Sequence, residues 1–165
     1  MTKPTVIAHR GFSAIAPENT LPAFQNAIDA GADMIEFDIR LTRDQQFVVI
    51  HDATLERTTN GRGIVENHTL SELQTLDAGS WFGREFAGTV LPSLGETLSL
   101  CRNRILVNIE VKTEIQDDLC LDQLADLVGM STGKGTLDMT KEFGFQKCLG
   151  NRATGDLDKR GITSR

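Results

Sequence analysis

The feature that most constrains the fold of this chain is an alternation of short apolar strands with helices. Apolar runs typical of buried strands occupy residues 6–8, 34–39, 47–50 and 105–112. Helical patterns are predicted over residues 21–30, 93–101 and 121–128. Strands that alternate with helices form right-handed βαβ units around a parallel sheet. The 165 residues, enough for one ordinary domain, therefore predict an α/β fold.

The first predicted helix has clear end signals. Thr20 is a residue type that favours the N-cap position, and Pro22 lies in the first turn, where its missing N–H costs little. Gly31 supplies the stop at the C-terminal end. These signals predict a helix between Thr20 and Gly31.

All four predicted strands carry charged or imidazole side chains at or near their carboxyl ends. These residues are His9, Arg10, Glu36, Asp38, His51, Glu110 and Lys112. Taken singly, each has an ordinary structural explanation, such as a surface charge, an ion pair or a capping histidine. Sites in parallel α/β folds lie where the carboxyl ends of the strands meet, so the coincidence predicts one functional site.

The residue types at these strand ends suit hydrolytic phosphoryl transfer. Glu36, Asp38 and Glu110 offer three carboxylates to a hard divalent cation such as calcium or magnesium. The two histidines suit acid–base chemistry near neutral pH. Arg10 and Lys112 can bind a phosphate. His68 has no such context and is expected to be structural or exposed.

Composition narrows the classes of partner and the cellular location. The net charge of −6 gives no broad basic field for nucleic acid. No apolar run approaches the roughly 20 residues of a membrane span, and the N-terminal run is too short for a signal peptide. The three cysteines, Cys101, Cys120 and Cys148, have no metal-ligand spacing. We therefore expect a reduced, cytoplasmic setting and a small-molecule substrate.

Two segments depart from the strand–helix alternation. Residues 53–92, with the tight-turn signal Asn60-Gly61, are expected to form an irregular excursion from the domain. Residues 129–165 show no sustained period, and their large apolar side chains are too scattered for strands. We therefore expect a folded domain over residues 1–128 and a poorly ordered tail over residues 129–165.

Several motifs, in order and with their spacing, resemble the glycerophosphodiester phosphodiesterase family over about residues 5–115. The segments that carry the resemblance are Ala8–Gly11, Ala16–Thr20, Ile35–Asp38, Ile50–Asp52, Thr58–Gly61, Asp77–Trp81, Leu91–Leu94 and Ile109–Lys112. Several independent motifs make the match specific. The resemblance implies a TIM barrel that cleaves glycerophosphodiesters to glycerol 3-phosphate and an alcohol.

The resemblance also implies roles for the strand-end residues. His9 and His51 match the family's acid–base pair, and Arg10 and Lys112 match its phosphate-binding cations. The three carboxylates match its metal ligands. The family mechanism includes attack by a glycerol hydroxyl to give a cyclic phosphate, and the sequence does not separate this route from direct attack by water. Neither the released alcohol nor the choice between calcium and magnesium follows from the sequence.

A complete (βα)8 barrel needs about 250 residues, so only about its first half is expected here. One hypothesis is a half-barrel that folds, by self-association over its open side, and keeps hydrolase activity. A second is a truncated, inactive remnant that at most binds metal or phosphate ligands. A third is a phosphatidylinositol-specific phospholipase-like phosphodiesterase. The Glu36-x-Asp38 pair, the Thr58–Gly61 segment and Trp81 favour the glycerophosphodiester family over this third hypothesis.

Overall fold

A computed structural model describes residues 4–113 and 122–128, and the backbone of residues 143–147. The strands are β1 (Ile7–His9), β2 (Met34–Leu41), β3 (Phe47–Val49), β4 (Leu106–Val111) and β5 (Phe143–Lys147). The α-helices are α1 (Leu21–Asp29), α2 (Leu70–Leu73), α3 (Leu94–Cys101) and α4 (122–128), with 3-10 turns at Val65–Asn67 and Arg84–Phe86. The predicted strands and helices are therefore confirmed, within one or two residues at their ends. No helix among these residues is both long enough and apolar enough to span a membrane.

The sheet is mainly parallel, in the order β1, β2, β4, β5. β2 pairs with β4 from Met34 opposite Leu106 to Ile39 opposite Val111, and with β1 from Met34 opposite Ile7 to Glu36 opposite His9. The parallel α/β architecture predicted from the sequence is thus confirmed for these strands. Their carboxyl ends lie at one edge of the sheet.

β3 corrects one expectation, because it pairs antiparallel with β2 instead of adding a further parallel strand. Val49 lies opposite Ile39, and Phe47 lies opposite Leu41. Only residues 42–46 separate the two strands, and a parallel crossover needs a dozen residues or more. β4 pairs with one edge of β2, so β1 and β3 share the other edge. β1 pairs with the first part of β2 and β3 pairs with its last part. The carboxyl end of β3 therefore points back towards the carboxyl end of β1.

A second correction concerns the segment after residue 129, where the sequence analysis expects no strand. The backbone of Phe143–Lys147 forms β5, parallel to β4, with Phe143 opposite Val107 and Lys147 opposite Val111. The strand is short, and its second residue, Gly144, is of a type depleted in strands. The predicted tail otherwise lies outside the described residues, as do Cys120 and Cys148.

The helices cover one face of the sheet, and the charged residues of β2 lie on the other. Ile35, Phe37 and Ile39 alternate with Glu36 and Asp38 along β2, so the three apolar side chains share one face. The main core on that face also contains Phe24, Ala27, Leu94, Leu98, Cys101, Ile109, Leu124 and Val128. Burial of this apolar surface is the main driving force for docking the helices on the sheet.

The excursion between β3 and α3 has a small core of its own. Leu55, Val65 and Leu73 pack there with Ala78 and Leu91. Val48 and Ile50 point into this second core, whereas their neighbours Phe47 and Val49 point into the main core. β3 and the residue that follows it therefore contribute side chains to both cores.

The helix ends follow the capping signals in the sequence with one difference. Ser93 and Thr69 each form a capping box with the glutamate three residues later. Thr20 occupies the N-cap position of α1, but its hydroxyl donates a hydrogen bond to the Pro17 carbonyl instead of accepting one from the helix. Gly31 follows the helix with a positive φ of 74°, as its role as a stop predicts.

The loop between β1 and α1 is attached to β2 by one buried side chain, Asn19. Its Nδ2 donates to Asp38 Oδ2 at 2.9 Å, and the Asp38 N–H donates to Asn19 Oδ1 at 3.3 Å. The backbone of Asn19 adopts a φ of 57°, which asparagine tolerates better than most residues. Asn19 therefore sets the distance between this loop and the charged face of β2.

We predict that Asn19→Ala lowers the free energy of unfolding by about 1–3 kcal/mol more than Asn103→Ala does, because buried polar groups on Asp38 lose their partner. Asn103 is exposed and has a φ of 58°, so its replacement reproduces the backbone effect alone. Urea denaturation of both variants measures the difference. Equal losses of stability in the two variants would contradict the role assigned to Asn19.

Candidate active site

Three carboxylates converge on the face of the sheet opposite the helices. Glu36 and Asp38 lie two residues apart on β2, and Glu110 lies opposite Asp38 on β4. One ligand oxygen from each residue lies within 4.8 Å of the other two. Burial raises the pKa of Glu36, and the nearby charge of Asp38 raises it further. Three anions this close, two of them buried, require positive charge beside them.

Lys112 supplies part of that charge. Its Nζ lies 2.6 Å from Glu110 Oε1 and 3.3 Å from Asp38 Oδ1. Burial alone would lower the pKa of Lys112, but hydrogen bonds and charges from Glu110 and Asp38 outweigh it and raise the pKa. The ammonium therefore stays charged beside the carboxylates.

The carboxylate cluster also has the character of a site for a divalent cation. Asp38 is only 1% exposed, and its buried Oδ1 has the Lys112 ammonium at 3.3 Å but makes no hydrogen bond within the described part of the chain. A buried acceptor without a hydrogen bond is costly unless another ligand satisfies it. The donor set is composed of oxygen atoms alone, which fits hard cations such as calcium and magnesium.

Arg10 lies at the edge of the same cluster, directly after β1. Its backbone N–H donates to the Glu36 carbonyl at 2.8 Å, and its φ is 58°. The guanidinium Nη1 donates to Glu18 Oε1 at 2.9 Å, and Nε lies 3.4 Å from Asp38 Oδ2. The arginine thus extends the positive side of the site beyond Lys112.

The two histidines reach the site from the ends of β1 and β3. His9 lies opposite Glu36, with Nε2 3.8 Å from Glu36 Oε2 and two thirds of its side chain exposed. His51 comes to the same edge of β2 because β3 is antiparallel: the N–H of the preceding Ile50 donates to the Asp38 carbonyl. His51 Nδ1 lies 2.7 Å from Asp52 Oδ1. All seven residues singled out in the sequence therefore lie at the carboxyl edge of β1, β2 and β4.

Sequence reasoning missed a set of partners that hold these residues. Arg57 pairs with both Glu18 and Asp52, and its guanidinium holds the pKa of Asp52 well below its usual range. Arg40 donates to the carbonyls of His51 and Lys112, at 2.9 and 3.3 Å. Glu18 lies in a recognised motif, but nothing in the sequence marks Arg40 or Arg57, since their roles arise only from folding. His68 lies elsewhere, with Nδ1 2.9 Å from the Ile64 carbonyl.

The chain is similar in sequence to glycerophosphodiester phosphodiesterases from several bacteria. It is 53% identical over 114 residues to the Caldanaerobacter subterraneus enzyme, covering 68% of this chain and 47% of that protein. It is 45% identical over 117 residues to the Bacillus altitudinis enzyme, covering 70% of this chain and 47% of that protein. The chain spans about half the length of the curated relatives it matches.

Solved structures show the same relationship in three dimensions. A glycerophosphodiester phosphodiesterase from Agrobacterium tumefaciens aligns with a TM-score of 0.78 and 37% identity, over 89% of this chain and 59% of that one. An Oleispira antarctica phosphodiesterase, in complex with the product sn-glycerol-3-phosphate, aligns with a TM-score of 0.67 and 32% identity, over 87% of this chain and 57% of that one.

The fold agrees with the first half of a TIM-type barrel, as predicted from the sequence. Residues 9–140 match the Glycerophosphoryl diester phosphodiesterase family. This match covers most of the chain and includes all seven candidate site residues, from His9 to Lys112. The chain therefore belongs to the glycerophosphoryl diester phosphodiesterase family.

Proposed function

We propose that this chain hydrolyses glycerophosphodiesters to glycerol 3-phosphate and an alcohol, with the help of one divalent cation. The observation that carries the proposal is the convergence of Glu36, Asp38 and Glu110 beside Lys112 and Arg10. Three carboxylates and two cations around one point suit a site that holds a metal ion and an anionic substrate together. The product bound to the Oleispira antarctica relative is of the same chemical class.

The carboxylates are proposed to hold the cation, and Oδ1 of Asp38, which faces Lys112 at 3.3 Å but makes no hydrogen bond, is proposed to be one of the ligand oxygens. When bound, a divalent cation neutralises phosphate charge and polarises a phosphoryl oxygen. Lys112 and Arg10 are proposed to bind the remaining phosphate oxygens, the arginine through its planar guanidinium. The geometry does not favour calcium over magnesium, since both accept carboxylate oxygens.

His9 and His51 are proposed to transfer the protons of the reaction. Asp52 accepts a hydrogen bond from Nδ1 of His51, which leaves Nε2 to take or give a proton. His9, largely exposed above Glu36, is free to meet the substrate from the β1 side. Attack by a glycerol hydroxyl and attack by water need the same pair of groups, one to remove a proton and one to protonate the leaving oxygen.

We predict that Glu36→Gln weakens binding of calcium or magnesium on the order of tenfold or more, because one of three anionic donors becomes neutral. Calorimetric titration of the folded chain with each metal measures the effect. Glu85→Gln removes the same charge from the excursion, outside the cluster, and is expected to leave metal affinity unchanged. Absence of metal binding by the folded parent chain would contradict the site.

Replacement of His9 or His51 by alanine is expected to lower the rate of glycerol 3-phosphate release by about 10²–10⁴-fold, the usual contribution of a general acid or base. The assay uses glycerophosphodiesters with metal present, and excess EDTA should abolish release by the parent. His68→Ala is the control, since His68 bonds the Ile64 carbonyl in the excursion. Normal activity of His51→Ala would show that the role is wrongly assigned, and a folded, metal-loaded parent without activity would favour the inactive remnant.

We also propose that a second copy of the chain covers the open part of the sheet. Ile7 and Leu106, both opposite Met34 in the register, lie on the face that carries the carboxylates. They remain 51% and 46% exposed. Exposed apolar residues grouped on one sheet face favour association.

Sedimentation equilibrium tests this association, and the parent chain is expected to sediment as a dimer at micromolar concentration. Leu106→Asn should raise the dimer dissociation constant on the order of tenfold, because an apolar side chain is lost from the contact. Ile64→Asn, at a residue that is 47% exposed in the excursion, provides the matched control. A parent that stays monomeric across the concentration range would rule out self-association.

A further inference from the structure

We infer that Arg57 is a positioning residue that fixes the orientation of His51 through Asp52 and, through Glu18, fixes Arg10. The inference rests on the proposed function and deepens it, since Arg57 touches neither the carboxylate cluster nor the histidines directly. Because Arg57 belongs to the excursion, the excursion then helps to fix the geometry of the site.

Two carboxylates engage the two edges of this guanidinium. Nε lies 2.6 Å from Asp52 Oδ2, and Nη2 lies 3.1 Å from Asp52 Oδ1. Nη1 lies 2.9 Å from Glu18 Oε2, and Nη2 lies 2.9 Å from Glu18 Oε1. Both carboxylates are therefore bound in the bidentate manner that only the planar fork of an arginine provides. Such double pairing fixes the rotation of each carboxylate about its own axis.

The fixed carboxylate of Asp52 determines which nitrogen of His51 carries a proton. Asp52 Oδ1 lies 2.7 Å from His51 Nδ1 while it also accepts from Arg57. A deprotonated carboxylate at that distance requires the proton on Nδ1 in the neutral ring, and hence leaves Nε2 as the proton acceptor. Hydrogen-bond partners of this kind set the tautomer and the orientation of an imidazole.

The other half of the network acts on the opposite side of the site. Glu18 Oε1 accepts from Arg57 Nη2 and from Arg10 Nη1, both at 2.9 Å. Glu18 thereby holds the Arg10 guanidinium with its Nε towards Asp38. One arginine of the excursion thus anchors both the proton-transfer residue His51 and the phosphate-binding residue Arg10.

The network differs from an ordinary surface ion pair. Glu18 has a side chain that is only 15% exposed, and Asp52 is 28% exposed, so solvent screens these pairs less than fully exposed ones. Arg43 offers the contrast, because its Nη2 donates to both carboxylate oxygens of Glu72, at 3.1 and 3.2 Å, in an ion pair whose partners are both more than half exposed. Comparison of variants at Arg57 and Arg43 therefore distinguishes a positioning role from a general effect of removing a positive charge.

The test compares Arg57→Gln and Arg57→Lys with Arg43→Gln in the complete chain. Nitrogen-15 NMR of the imidazoles reports the tautomer directly, and the three histidines of the chain make assignment simple. Spectra at about pH 8.5, where ordinary imidazoles are neutral, should show His51 protonated on Nδ1 in the parent. Asp52→Asn provides the reference for complete loss of the carboxylate.

Both Arg57 variants are expected to move the His51 ring signals towards those of Asp52→Asn, because lysine keeps the charge but lacks the double fork. Arg43→Gln should leave these signals unchanged. The value of kcat/KM for glycerol 3-phosphate release should fall on the order of tenfold to 10²-fold in the Arg57 variants, as for a misplaced catalytic group. If Arg57→Gln fails to fold, Arg57→Lys carries the same comparison.

Parent-like His51 signals in a folded Arg57 variant would overturn the inference, whatever the rate. Equal loss of kcat/KM in Arg43→Gln would overturn it as well, since the effect would then come from charge or stability alone. An inactive parent would contradict the proposed function and would leave the ring signals to decide the role of Arg57 independently.

Discussion

The structure around the site depends on the burial of one carboxylate, that of Asp38. A buried charge is tolerated only where neighbours compensate it, and Asp38 meets Asn19 and Arg10 from the loop after β1 and Lys112 from the end of β4. Each of these contacts fixes a loop or strand end against β2. The buried negative charge of Asp38 makes this place suitable for a cation. The same charge also holds the surrounding backbone in place through the partners that compensate it. In this chain the chemistry of the site and the arrangement of its loops have a common cause.

The short hairpin between β2 and β3 has a comparable influence on the site. A crossover connection would have placed β3 parallel to its neighbours, as expected from the sequence. With only residues 42–46 available, the chain must turn back, and His51 arrives beside the end of β1 instead. Arg40 then connects the backbone at this point to the end of β4. The two histidines thus follow strand ends that point towards each other along one edge of β2, although their strands run in opposite directions.

Much of this arrangement could be predicted from the sequence, because it depends on local signals. The helix ends at Gly31 and Ser93 and the alternation along β2 are properties of neighbouring residues. Six of the seven candidate residues were recognisable because the ends of parallel strands converge, whereas His51 follows the antiparallel strand β3. The direction of β3 was missed although the length of its connection was readable. β5 was missed because its sequence has no strand periodicity, and pairing with β4 decides its structure.

The partners of Arg57 were beyond sequence reasoning for a different reason. Glu18 and Arg57 are separated by 39 residues, and no periodicity links them. Their pairing exists only because the loop after β1 and the excursion fold against the same end of the sheet. Long-range side-chain pairs of this type depend on tertiary structure that local patterns do not encode.

The strand β3 shares its side chains between two cores, and this has a consequence for how the molecule opens. Val48 and Ile50 cannot leave the core of the excursion without disturbing Phe47 and Val49 in the main core. The two cores should therefore form a single cooperative unit in local unfolding, not two independent ones. His51 lies two residues after this strand, so local unfolding of either core is expected to displace this candidate residue.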